Sequence, residues 1–317
     1  MDDLSLQGAL LVDKPAGPTS HDVVAFVRRA LKTSRVGHTG TLDPLATGLL
    51  VVLVGQATRM AQFLAADEKE YLADVRLGAS TPTYDAASLA DAVRYPISDT
   101  RYPISELDAV LDRFRGSFLQ TPPAYSAKKV AGVAAYEKAR RNEVVELKPV
   151  SVTVRELQNL DSPDIGYRAS GIEGGGLLRL RVAASAGFYV RSLAHDIGQA
   201  LGCGAHLEAL RRTRVGRFSV NDALTLDRLE GDGAAAIIPL NPLLGEMPAI
   251  TLTAEGVRRA AHGNSLGPAY VAAGPQGGSD LSAKGPGHLR LLDAAGTLLA
   301  VAERRPDGLL HPLVVLG

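Results

Sequence analysis

Cysteine is almost missing from this sequence: Cys203 stands alone among 317 residues. A lone thiol excludes an internal disulfide and any zinc site built from several cysteines, and it suits a reducing cytoplasm. No apolar run approaches the roughly 18 residues that a membrane span requires, so none is expected. The opening MDDLSLQG is acidic and lacks the basic stretch and apolar core of a secretory signal. There is no glycine-rich loop ending in Gly-Lys-Ser/Thr, which argues against a nucleotide-phosphate cradle. Net charge is missing too, since Lys plus Arg and Asp plus Glu both number 34.

Charge is nevertheless segregated. Residues 23–42 hold Arg28, Arg29, Lys32 and Arg35 and no acid. Lys128, Lys129, Lys138, Arg140 and Arg141 are offset only by Glu137, and Arg211, Arg212, Arg214 and Arg217 follow Glu208. Acids gather instead between Asp85 and Asp112. Such a pattern can give a neutral chain one basic face, the footprint expected of a nucleic-acid binder.

Periodicity outlines the elements. Residues 8–12 (GALLV) and the run LLVVLV read as buried strands, with a glycine-rich loop from Gly37 to Gly48 before the second. Between them a helix capped near Thr19 or Ser20 places Val23, Val27, Ala30 and Leu31 on one face. Residues 69–78 alternate, with Tyr71, Ala73, Val75 and Leu77 on one side. Leu107, Val110, Leu111 and Phe114 mark an amphipathic helix, and Val190, Leu193, Ile197 and Leu201 mark another that begins near Tyr189. Strand-like segments recur around 144–160, 165–172 and 177–184. Strands and helices that do not strictly alternate predict an α+β fold on a mixed or antiparallel sheet. A boundary is expected near Pro239 to Pro248, giving a domain over 1–247 and a small β-rich one over 248–317. The glycine- and proline-rich stretch 267–287 reads as a loop within the latter.

Chemistry concentrates in Gly37-His38-Thr39-Gly40-Thr41-Leu42-Asp43-Pro44-Leu45-Ala46-Thr47-Gly48. By composition alone Asp43-Pro44 is a turn. Five further blocks accompany it: Asp13-Lys14-Pro15 with Gly17-Pro18-Thr19-Ser20; Lys69-Glu70-Tyr71; Gln120 through Lys128; Gly187 to Leu193 (GFYVRSL); and Ala205 to Gly216. In this order the six blocks resemble those of the TruB-type tRNA pseudouridine-55 synthases, through nearly the whole catalytic part of the chain. Pro82 departs from the pattern, standing where that family usually has an acid. The repeated RYPIS at 94–98 and 101–105 is also unlike typical members. The tail weakly resembles the family's PUA module, a small RNA-binding barrel.

The resemblance implies an enzyme that isomerises uridine in the T loop of tRNA through a flipped-out base, with Asp43 as nucleophile. It pairs Arg191 with Asp43, stacks Tyr71 on the uracil, and lines the uracil pocket with Tyr189 and Leu210. It sends His38 into the T loop as the base leaves, and gives Lys14 a supporting place. The reaction imports no group and oxidises nothing, so neither cofactor nor metal is expected. The implied partner is the tRNA T-arm stem-loop, met by a monomer in the cytoplasm. Two other readings compete. His21-Asp22 and His195-Asp196 are HD pairs such as a metal-dependent phosphohydrolase uses, although adjacent helix residues do not share a face. A non-catalytic RNA-binding or tRNA-folding protein would use the basic clusters equally well, but would not need Asp43, Tyr71 and Arg191 together.

Overall fold

The computed structural model describes residues 6–65, 68–95, 104–126, 128–130, 132–141, 143, 147–160, 176–274 and 287–316. The first strand, β1 (Gly8–Lys14), is followed by α1 (Ser20–Ala30), β2 (Val36–His38), β3 (Thr47–Val54) and β4 (Lys69–Leu77). Then come α2 (Ile104–Asp112), β5 (Gly116–Gln120), β6 (Val150–Asn159), β7 (Leu177–Ala184), α3 (Val190–Ala200), β8 (Ala205–Val215) and β9 (Ile238–Pro239). These strands form one sheet in the order β9–β1–β3–β8–β4–β7–β6–β5, with β2 added on β3 and Phe218–Ser219 on β8. The β3–β8 pairing is parallel, while β1–β3, β8–β4 and β4–β7 are antiparallel. The fold is α+β on a mixed sheet, as the sequence led us to expect.

Local chemistry explains the elements near the site. Thr19 is the N-cap of α1: its Oγ1 accepts from Asp22 N at 3.1 Å, and Asp22 Oδ2 accepts from Thr19 N at 2.8 Å. This reciprocal capping box satisfies donors that a helix start leaves unpaired. In β4 the residues from Lys69 to Leu77 alternate strictly between buried and half-buried, which turns Tyr71 into the core. Val75, Leu178, Leu193 and Ile197 pack there with Leu42, Tyr71 and Leu210.

After Pro239 the chain enters a second sheet. Its strands β10 (Ala249–Leu252), β11 (Val271–Ala273), β12 (His288–Leu292), β13 (Leu298–Arg304) and β14 (Leu310–Val315) lie in the order β11–β10–β12–β13–β14. This sheet shares apolar packing with the large one: Leu298, Val301 and Val314 cluster with Ala9, Leu11, Leu49, Val51 and Leu53. Arg290 fastens the connection, donating to Met247 O at 3.0 Å and Asn241 Oδ1 at 2.6 Å.

Several expectations need correction. The loop expected from Gly37 to Gly48 is shorter, because His38 lies on β2 and pairs with Val52. The 144–160 strand starts only at Val150. Within 267–287, Pro268–Tyr270 form a 3-10 turn and Val271–Ala273 pair with β10, so the stretch is not loop throughout. Glycine and proline at its start mask a short strand whose Val271 clusters with Ala260 of α4 (Ala254–Ala261) and with Ile250 and Leu252 of β10. The segment 165–172 and most of the RYPIS repeat fall outside the described residues. No described helix is long and apolar enough to cross a membrane.

Candidate active site

Asp43 sits on the loop between β2 and β3, and that loop is clamped from three directions. The opening motif supplies the first clamp. Buried Ser20 accepts from Leu42 N at 2.8 Å and donates to Leu42 O at 3.0 Å, and Gly17 N donates to Pro44 O at 2.8 Å. Lys14 is fully buried, and its Nζ donates to Pro15 O at 2.9 Å, Pro44 O at 3.3 Å and Ala46 O at 2.6 Å. Burial pulls its ammonium down to about 8, against the opposing charge of Asp43.

Strand β8 supplies the second clamp. Arg212, also buried, donates from Nε to Leu49 O at 2.7 Å and from Nη2 to Gly40 O at 3.0 Å. Burial lowers its pKa, opposed by a hydrogen bond and charge interaction with Tyr71 and by Asp43. Gly48 makes this crossing possible. Its φ is +98°, and a Cβ there would lie 2.2 Å from Arg212 O, so only glycine lets β3 approach β8 so closely.

Helix α3 supplies the third. Arg191 Nε lies 2.9 Å from Asp43 Oδ2, and Nη2 donates to Asp43 Oδ1 at 3.2 Å. The same guanidinium donates from Nη2 to Tyr125 O at 2.9 Å and from Nη1 to Thr83 O at 3.0 Å, with Asp85 Oδ2 3.7 Å from Nη1. Burial raises the Asp43 carboxyl above the ordinary carboxylate range; Arg191 opposes that rise, Asp85 adds to it and Lys14 opposes it. Burial therefore outweighs the cations, and Arg191 limits the rise without reversing it.

Of the remaining expected residues, Tyr189 lies close enough to Asp43 to feel its charge. Tyr71 and Leu210 are buried in the cluster that includes Leu42 and Ala46, the neighbours of Asp43. Tyr189 caps α3, and its backbone exchanges hydrogen bonds with the Gln120 amide at 2.8 and 3.1 Å. Burial raises its phenol, against Ser126 and the Arg191 charge. His38 stands at the end of β2, just before the loop, edge-on to His21 at 5.7 Å, with its Nδ1 buried and without a hydrogen-bond partner. Burial, then His21 and Arg212, lower its pKa, which favours the neutral ring.

Two residues here were not assigned by the sequence reading. Asp85 is buried against Arg191, yet in the sequence it stood only as the first acid of the stretch to Asp112. Arg212 looked like one cation in a basic run. Alternation along β8 would have separated it, because Leu210 and Arg212 share the core side while Arg211 faces outward to pair with Asp13 at 2.8 and 3.0 Å. Arg214 in turn meets Glu68 at 3.1 Å. Two arginines of this run, Arg211 and Arg214, are thus paired with acids, while Arg212 is spent on backbone carbonyls. The HD pairs do not converge either: Asp22 belongs to the α1 cap and His195 stacks on Tyr84.

Comparison with known proteins gives this arrangement its class, the pseudouridylate synthases. Residues 28–190 match the model of the TruB family pseudouridylate synthase N-terminal domain, and residues 191–236 that of the tRNA pseudouridylate synthase B C-terminal domain. The chain is 42% identical over 316 residues to tRNA pseudouridine synthase B of Solibacter usitatus, covering 98% of this chain and 100% of that one. Against the Thermobifida fusca protein of the same name it is 43% identical over 322 residues, covering 98% of each. Among solved structures, an H/ACA RNP bound to a substrate RNA containing 2′-deoxyuridine superposes with a TM-score of 0.68 at 26% identity, covering 99% of this chain and 86% of that one. A Cbf5-Nop10-Gar1 complex gives the same TM-score and identity, covering 99% and 85%. The chain belongs to the TruB family of pseudouridylate synthases.

Proposed function

We propose that this protein converts uridine 55 in the T loop of tRNA to pseudouridine, with Asp43 as the nucleophile. The reaction breaks the bond from ribose C1′ to uracil N1, turns the base and rejoins it through C5. N1 gains a proton and C5 loses one, so the balance closes without oxidant, reductant or imported group. What the site must supply is an oriented carboxylate beside a planar pocket. The single observation that carries the reading is the Asp43–Arg191 pair at 2.9 Å on a loop clamped by Ser20, Lys14 and Arg212.

In this reading Asp43 attacks the ribose or the base and holds the separated intermediate. Arg191 keeps it ionised and aimed. Tyr71 stacks on the uracil and its hydroxyl accepts a proton; Tyr189 and Leu210 close the pocket. His38 fills the gap left by the flipped base, offsetting part of the unstacking cost of a few kcal/mol. Lys14 supports the loop. Residues 1–247 carry this chemistry, and residues 248–317 add contacts to RNA as a PUA-like module. The enzyme works on the T-arm stem-loop as a cytoplasmic monomer. The test is to incubate unmodified tRNA with the pure protein and map pseudouridine. Modification at position 55 alone is expected; no pseudouridine, or pseudouridine elsewhere, overturns the reading.

A further inference from the structure

Tyr84 and His195 take no part in the roles above, yet one adjoins the groups that Arg191 touches and the other shares its helix. Tyr84 adopts φ +63°, the left-handed region that glycine enters freely and a tyrosine only at a cost. Its ring lies flat on the His195 imidazole, with centroids 3.9 Å apart and planes inclined by 14°. His195 follows Arg191 by four residues on α3, so both project from the same face of that helix. The neighbours of Tyr84 in sequence are the groups that Arg191 touches: Thr83 O accepts from Nη1 at 3.0 Å, and Asp85 Oδ2 lies 3.7 Å away.

The turn is also held by backbone hydrogen bonds. Tyr84 N donates to Thr81 O at 3.1 Å, with Pro82 in the second position of the turn, and Leu207 N on β8 donates to Tyr84 O at 2.9 Å. Thr83 Oγ1 donates to Asp85 Oδ1 at 2.6 Å and fixes that carboxylate within the turn. One backbone bond therefore ties the turn to β8, and the aromatic stack, together with the Arg191–Thr83 bond, ties it to α3. Burial favours the neutral imidazole and the neutral phenol, which suits face-to-face contact between uncharged rings.

We propose that the Tyr84–His195 stack is a positioning element for the reaction, holding the turn 81–85 against α3 so that Thr83 and Asp85 fix the Arg191 guanidinium in the orientation that meets Asp43. Tyr84 and His195 touch no reacting atom; they act through Arg191. The strained backbone at Tyr84 is then explained, because a glycine would relax the turn but remove the ring. The inference rests on Asp43 being the nucleophile.

The test uses the full chain with unmodified tRNA and reads three quantities: the single-turnover rate at saturating enzyme, the tRNA dissociation constant and the thermal unfolding midpoint. Tyr84→Gly and His195→Leu are expected to slow the chemical step about tenfold or more, since misorientation of a catalytic group is costly, with tRNA affinity within about twofold. Tyr84→Phe keeps the stack and should keep the rate. The double variant should be no slower than the slower single one, because the two rings act as one unit. His195→Leu fills the volume without a planar face, so it decides the question even if Tyr84→Gly fails to fold. A folded Tyr84→Gly or His195→Leu at wild-type rate overturns the proposal, as does Tyr84→Phe as slow as Tyr84→Gly, or losses that multiply in the double variant. Asp43→Asn is measured alongside. If it turns over, the underlying reading fails; if it is inactive while both stack variants are normal, only the stack proposal fails.

Discussion

Arg191 meets Asp43 through two nitrogens, Nε at 2.9 Å from Oδ2 and Nη2 at 3.2 Å from Oδ1, while its third nitrogen serves Thr83 O and faces Asp85. One guanidinium thus sits between the partly exposed Asp43, the buried Asp85 and two carbonyls. Its planar fork orients every partner at once, which a point charge on a flexible stem does not do.

Arg191→Lys should therefore keep the fold and tRNA binding yet lose about 100-fold or more in single-turnover rate, the scale on which misplacement of reacting groups acts. Arg191→Met should lose more. Burial already lifts the Asp43 carboxyl, and removing the opposing cation lifts it further. The residual rate of the Met variant should rise with pH over a range where the wild type is flat. Rates across pH for both variants check this; a full rate with lysine, or a wild-type pH profile with methionine, contradicts it.

Adjacent arginines should behave oppositely. Arg212→Met leaves the carbonyls of Gly40 and Leu49 without their buried donor, a loss on the order of 2–3 kcal/mol. It also frees the loop that carries Asp43. Arg211 pairs with Asp13 at the surface, so Arg211→Ala should cost no more than about 1 kcal/mol. Urea unfolding of the two variants tests the contrast, and equal losses would count against it.

Asp196 offers a pH-dependent stability test. Burial raises its carboxyl to about 6. The unfolded chain therefore releases this proton first as pH rises. Stability is lost from about pH 4 to pH 6, and the loss is complete above that window. Without screening, a rise of that size is worth about 3 kcal/mol; Asp196 is only half-buried, and solvent screening reduces this to on the order of 2 kcal/mol or less. Asp196→Asn should match the wild type near pH 4 and be more stable at pH 7. Thermal unfolding at both pH values measures this, and midpoints that do not diverge would refute it.

Removing residues 248–317 should destabilise what remains. Leu298, Val301 and Val314 would leave the cluster they share with Ala9, Leu11, Leu49, Val51 and Leu53. Each large apolar side chain uncovered is worth about 1.5–3 kcal/mol. The shortened chain should unfold at a clearly lower temperature than the full one. An unchanged midpoint would show that the two sheets are energetically independent.

What the sequence made legible follows from how local each signal is. The Thr19–Asp22 box and the alternation that buries Tyr71 depend on neighbours in the chain, and both are readable there. Asp43, Tyr71, Arg191, Tyr189 and Leu210 came through a motif resemblance, and the fold gathers them around one loop. Asp85 and Arg212 were missed because their meaning lies in long-range contacts: Asp85 faces a helix more than 100 residues away, and Arg212 grips Gly40 across the parallel β3–β8 junction. The ion pairs within the arginine run were hidden for the same reason, since Asp13 and Glu68, which pair with Arg211 and Arg214, are far off in sequence. The shared core of the two sheets was equally invisible, because nothing in 298–314 marks which side faces β1 and β3.

The central claim is that an ionised Asp43 performs the chemistry. The most direct measurement is pseudouridine formation by Asp43→Asn in a single turnover with unmodified tRNA, with the dissociation constant determined on the same sample. The substitution is nearly isosteric and removes only the attacking oxygen's charge. Binding close to wild type with no detectable product is the predicted result. Turnover near the wild-type rate would contradict the account.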